Sequence, residues 1–163
     1  MVASGGLVAL PSWAENWIPS DLAKIPTSFS TSSPETLAAV ADTIIPAGNS
    51  IGALSVGVDK FLQKLLANCY EKDVQENVDK QLSALDASAR STYGNTFTGC
   101  DQSQRQSLLT KFANSDDTHE KDFFTLIKSE TIRGFNTSRE VMLQYLKYKI
   151  LPGHYYGCVD VKA

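Results

Sequence analysis

His154 and Cys158 stand four residues apart in Pro152-Gly153-His154-Tyr155-Tyr156-Gly157-Cys158, and a histidine near a thiol can form a nucleophilic or metal-binding pair. Such a pair needs a third group to orient the base or complete a ligand set, and none occurs at recognisable spacing. His119, beside Glu120 and close to Asp116 and Asp117, could hold a cation weakly, but in so polar a stretch a solvated imidazole is the simpler reading. Gly48, Gly52 and Gly57 do not form the G-x-G-x-x-G of a dinucleotide loop, no strand precedes them, and no phosphate-cradling G-x-x-x-x-G-K is present. Two histidines and three cysteines are too few for a binuclear metal centre, a zinc ribbon or a haem-attachment motif. The chain is poor in catalytic side chains, so the expectation is that another polypeptide carries the chemistry it serves.

What the sequence has instead is a set of short loops dense in residues that dictate backbone shape. These are Ile45-Pro46-Ala47, Gly52-Ala53, Arg133-Gly134-Phe135 and the run from Pro152 to Cys158. Proline fixes φ and glycine opens positive φ, so such loops have specified shapes. Those bearing aromatics are candidate contact surfaces: Phe135, which could equally plug the core beneath a helix end, and Tyr155 and Tyr156 beside Pro152 and Gly153. Trp13 and Trp17, with Ile18, sit in a stretch interrupted by Pro11, Pro19 and Pro26 and followed by Ser/Thr-rich sequence. A solvated linker seldom carries both tryptophans of a chain, so they either lie back on the protein's own body or anchor it to a partner.

Length and composition set the frame for these residues. The chain has 163 residues, 42% apolar and 20% charged, and its 15 Lys+Arg against 18 Asp+Glu leave a net charge of −3. That is a globular composition without a basic footprint for nucleic acid or a polybasic membrane surface. Residues 1–9 are small and apolar, too short to span a bilayer, which needs about 20 residues. They have the texture of the end of a signal peptide, although no positively charged stretch precedes them. The organisation expected is a signal-like, Pro/Ser-rich tail over 1–33 and a helical domain over 34–163. Cys69, Cys100 and Cys158 form no C-x-x-C; two of them could pair in an exported protein, or all three remain thiols.

From Ser32 onward the apolar spacing is helical. Leu37, Val40, Ala41, Ile44 and Ile45 recur on one face, with Ser32 and Glu35 at capping-box spacing and Pro46 as a stop. A second face runs Leu54, Val58, Phe61, Leu62, Leu65, Leu66 and Cys69. Val74, Val78, Leu82, Leu85 and Ala89 mark a third helix, expected to be more exposed because its sequence is more polar. Asp101 and Gln104 cap a fourth helix carrying Leu108, Leu109 and Phe112. A fifth begins at Phe123 and should end at Gly134 as a C-terminal cap. Thr137-Ser138-Arg139-Glu140 opens a sixth with Val141, Met142, Tyr145, Leu146 and Tyr148, terminated by Pro152-Gly153. No alternating strand pattern or hairpin turn competes, so the fold expected is all-α, a compact bundle of about six helices.

The same loops carry a family resemblance. Leu37, Asp42-Thr43-Ile44-Ile45-Pro46, Gly52-Ala53, Val58, Phe61, Phe123-Phe124, Lys128, Thr131, Gly134-Phe135, Ser138, Tyr148, Pro152-Gly153, Tyr155 and Gly157-Cys158, in that order, resemble the gluconate 2-dehydrogenase subunit 3 family over roughly residues 34–160. The resemblance implies a small, non-catalytic accessory subunit of a periplasmic sugar or sugar-acid dehydrogenase. It implies no cofactor on this chain, FAD on a large GMC-type partner subunit, and often a c-type cytochrome as electron acceptor. It further implies an escort that helps the flavoprotein mature and carries it through the twin-arginine export route. Residues 1–14 fit the end of such a signal, although they contain no Arg-Arg pair. The alternative is a stand-alone periplasmic helical protein, either an enzyme using His154 and Cys158 or a ligand-binding domain with an enclosed cavity.

Overall fold

The computed structural model describes residues 34–149 and Gly153. Over those residues the protein is all-α, with no strand. Five helices, α1 (Pro34–Ile44), α2 (Val58–Cys69), α3 (Lys72–Tyr93), α4 (Gln102–Ala113) and α5 (Thr118–Asn136), are joined by short loops, two of which contain single 3-10 turns, Leu54–Val56 and Phe97–Gly99. A last helical segment begins at Arg139 and widens into a π turn over Val141–Tyr145.

Helix α5 is the organising element, packing on α1, α2, α3 and α4. It meets them through Phe123, Ile127 and Thr131, spaced four apart so that they stack along one side. Leu37, Leu62, Leu66, Val78, Leu82, Leu85 and Phe97, all fully buried, close the core around that side. Polar ties then fix the periphery. Arg105 on α4 donates through Nε to the Cys100 carbonyl (2.9 Å) and through Nη2 to the Thr98 carbonyl (3.1 Å), and reaches Asp42 on α1 at 3.4 Å. One guanidinium thus holds the second 3-10 turn against two helices, a use of its fork of donors that a lysine cannot copy.

Two local expectations hold in detail: Asp101 and Gln104 form both halves of a capping box at the start of α4, and α1 ends at Ile44 ahead of Pro46. Gly94 closes α3 in the left-handed conformation. The loops Ile45-Pro46-Ala47 and Gly52-Ala53 prove to be one feature. The Ala53 amide donates to the Ile45 carbonyl at 2.9 Å, and a Cβ on Gly52 would lie 2.4 Å from the Ala47 nitrogen. Only glycine allows the two backbones to approach so closely.

Three expectations are corrected. Helix α3 is not among them: it is more exposed than α1 and α2 along its outer side, while one stripe, Val78, Leu82, Leu85 and Ala89 together with the polar Gln81, is buried. Leu54 does not extend the face of α2; it lies on the separate 3-10 turn, 43% exposed, and Cys69 at the far end of α2 is exposed as well. Helix α5 starts earlier than Phe123 and runs through Gly134 to Asn136, so this glycine is not a cap. A Cβ there would lie 2.5 Å from Cδ1 of Phe61, and the missing side chain is the space into which the α2 ring packs. Finally, the sixth helix is shorter than its apolar spacing suggests. Thr137 donates its hydroxyl back to the Arg133 carbonyl (2.8 Å), and Ser138 instead accepts the Val141 amide (3.4 Å); the helical residues end at Tyr145. Ser32 of the first capping box lies outside the described residues.

Candidate interaction surface

The last turns of α5 bring together groups from two helices, α5 itself and α2 with its C-terminal end. Glu130 is 8% exposed. Its carboxylate accepts a hydrogen bond from the Tyr70 hydroxyl at the end of α2 (3.0 Å) and pairs with Arg133, one turn further along α5. The Arg133 guanidinium in turn lies over the Phe61 ring, 6.0 Å from its centroid. Burying a carboxylate is costly unless it is paired and hydrogen-bonded, and here it is both. The group fixes α2 against the C-terminal end of α5, and that end leads into the exposed apolar segment.

The Tyr70 phenol ionises above the ordinary tyrosine range, first because burial disfavours the phenolate, then because Glu130 accepts its proton bond and repels the negative charge. A raised folded-state value means that this group adds stability below the ordinary tyrosine pKa and loses it as the pH climbs through the folded value. Tyr70→Phe should therefore flatten the alkaline limb of a melting-temperature profile against pH. A Tyr70 phenol that titrates together with free tyrosine would contradict this.

Beyond α5 the chain turns apolar outward. Val141 is buried against the body, but Leu143, Tyr145, Leu146 and Tyr148 are 50%, 53%, 58% and 52% exposed. On the preceding helix Ile132 is also exposed, whereas Phe135, three residues on, is half-buried and packs against the core. An isolated exposed leucine needs no explanation; four large apolar side chains within six consecutive residues form a patch of the kind that marks an interaction site. The sequence contained a signal for it. From Val141 to Leu146 only Gln144 is polar, and a helix apolar all round has to be covered on more than one side.

Of the partner-contact candidates, Phe135 is the half-buried residue just described. Gly153 is exposed with φ +81°, while Trp13, Trp17, Pro152, Tyr155 and Tyr156 lie outside the described residues, as do His154 and Cys158. His119 occupies the exposed first turn of α5, where its amide donates to Asp117 and its carbonyl accepts from Asn77. Among the described residues no group of three or more His, Cys, Asp or Glu side chains is placed to hold a metal ion. Cys69 and Cys100 are both free thiols, so they are not joined to each other.

The described residues line several surface clefts. One of about 360 Å³ is polar and lined by Glu35, Asp86, Arg90 and Thr96; one of about 220 Å³ is lined by residues including Ile44, Leu109 and Phe124; one of about 290 Å³ runs between α3 and α5 past His119. Their sizes are at or below the lower end of ligand pockets, and all three are open to solvent rather than enclosed. No described helix is long and apolar enough to cross a membrane.

Residues 32–153 match the family model described as gluconate 2-dehydrogenase subunit 3. The resemblance read from the loops is borne out over more than half of the chain, and the match ends short of Tyr155, Tyr156 and Cys158. Comparison with curated proteins and with solved structures gives no match.

Proposed function

The chain belongs to the gluconate 2-dehydrogenase subunit 3 family, and on that premise we propose that it is the non-catalytic accessory subunit of a periplasmic, FAD-dependent sugar or sugar-acid dehydrogenase. In this role it binds a large GMC-type flavoprotein, supports the maturation of that subunit and accompanies it through twin-arginine export. FAD belongs to the large subunit, and a c-type cytochrome takes the electrons. The observation that carries this reading is the exposed apolar run from Leu143 to Tyr148, on a body whose family name already makes it one subunit of several. Buried against a partner, those side chains would cease to be a solubility liability and would contribute affinity.

The small subunit then acts through shape. A folded helical body with one apolar face can shield the matching face of a flavoprotein until assembly is complete, without any reacting group of its own. Removing this chain from its native host is expected to abolish at least nine-tenths of the cofactor-dependent sugar dehydrogenase activity, a drop of roughly tenfold or more, as for loss of an obligate partner. Re-expression of the full chain should restore it. Undiminished activity and normal export of the flavoprotein in the deletion strain would refute the role.

A further inference from the structure

We propose that residues 139–149 are the docking element of this subunit, and that they fit an apolar groove rimmed by carboxylates on the partner protein. The proposal rests on the accessory-subunit reading and adds to it which part of the chain makes the contact and what the partner must present.

The backbone of this segment has a defined shape. The Leu146 amide donates to the Val141 carbonyl (3.0 Å) and the Tyr148 amide to the Met142 carbonyl (2.9 Å). Lys147 between them adopts φ +52°, the only non-glycine residue with positive φ among the described residues. A lysine held in the left-handed region is a local cost that persists where surrounding bonds fix the turn. The result presents Leu143, Tyr145, Leu146 and Tyr148 from a preformed hook tied down by Val141, so docking orders little additional chain. Tyrosines in such positions are the side chains that most often anchor interfaces.

Charge decides among the possible occupants. Arg139, Lys147 and Lys149 face only Glu140 in this stretch, although the chain as a whole carries −3. A second copy meeting the same patch about a two-fold axis would set these cations against their own images. Interfacial binding to a bilayer uses an extended amphipathic helix with a polar face, whereas here the helical residues stop at Tyr145. A different protein with an apolar groove and an acidic rim satisfies both the side chains and the charge.

The test captures the tagged full chain from its native host and measures the flavin absorbance of what is recovered with it. Wild type should bring down a flavoprotein in equimolar amount. Tyr145→Glu combined with Leu146→Glu should reduce that recovery by roughly tenfold or more, as for the loss of a central anchor. Lys147→Glu with Lys149→Glu, which alters no apolar side chain, should also reduce it, while Leu54→Glu, at an exposed site outside the segment, should leave it unchanged. Since all these side chains are exposed, equal helix content and melting temperature verify that each variant is folded. Undiminished recovery with the segment variants would overturn the docking assignment and leave the accessory role standing; wild-type capture without a flavoprotein would overturn both. Two further outcomes would also overturn the assignment: wild-type sedimentation with phosphatidylglycerol vesicles, lost in the Tyr145/Leu146 variant, or a wild-type dimer that this variant converts to monomer.

Discussion

Phe123→Ala is expected to destabilise the fold by about 3–5 kcal/mol, the range for removing a buried aromatic side chain. Phe123 is 1% exposed and meets Phe112, itself 2% exposed, edge to face with ring centroids 6.3 Å apart and planes at 67°. The truncation therefore removes the transfer energy of a ring and leaves a void, and it also breaks an aromatic pair worth about 0.5–1.5 kcal/mol beyond its buried area. The site joins α4 to α5, the helix on which the other four pack, so a void here is not confined to one edge. Against a typical total stability of about 5–15 kcal/mol, the loss is large. Denaturant unfolding should show the midpoint falling sharply at unchanged slope, and the double variant with Phe112→Ala should cost less than the sum of the two single ones. A loss below about 1 kcal/mol would mean that the pair is not a centre of the core.

The second large effect is expected at Gly134. In an ordinary helix interior, Gly→Ala stabilises by about 1 kcal/mol, because alanine loses less backbone entropy on folding. Here the sign should reverse. The added Cβ would stand 2.5 Å from Cδ1 and 2.9 Å from Cε1 of Phe61, contacts that force the ring to move. That ring is half-buried and carries the Arg133 guanidinium on its face, so its displacement also disturbs the ion pair of Arg133 with Glu130. Overpacking of this kind costs about 1–3 kcal/mol. Gly134→Val should cost more than Gly134→Ala, and Phe61→Leu in the same chain should recover part of the loss. An alanine variant that melts above wild type would show that the ring yields freely. Because the affected end of α5 leads into residues 139–149, the valine variant should also weaken partner capture while the rest of the helical core persists.

The shape-dictating residues show how far the sequence could be read. Pro46 and Gly52 stood out as shape-dictating residues, and both are, but one-dimensional reading treats Ile45-Pro46-Ala47 and Gly52-Ala53 as separate features. Their contact, with the Ala47 backbone against Gly52, exists only once the loop closes. Gly134 misled in the opposite way. A glycine after Arg133 has the form of a helix cap, and nothing local distinguishes it from a glycine that makes room for a ring from a helix about seventy residues earlier in the chain. The polar character of α3 did indicate its exposed outer side, but composition averages over a helix whereas burial depends on one stripe, and that stripe was present in Val78, Leu82, Leu85 and Ala89.

The existence and order of the helices, the capping box at Asp101 and Gln104, the all-α class and the family were determined by the sequence alone, because apolar periodicity, caps and breakers act over a few residues and leave their trace in spacing; several helix ends were not. Tertiary structure alone decided that α5 sits at the centre, that Tyr70, Glu130 and Arg133 converge on the Phe61 ring, and that Leu143, Tyr145, Leu146 and Tyr148 face outward. Those outcomes depend on which faces find partners across the bundle. An apolar residue has the same identity whether a neighbouring helix covers it or leaves it for another protein to cover.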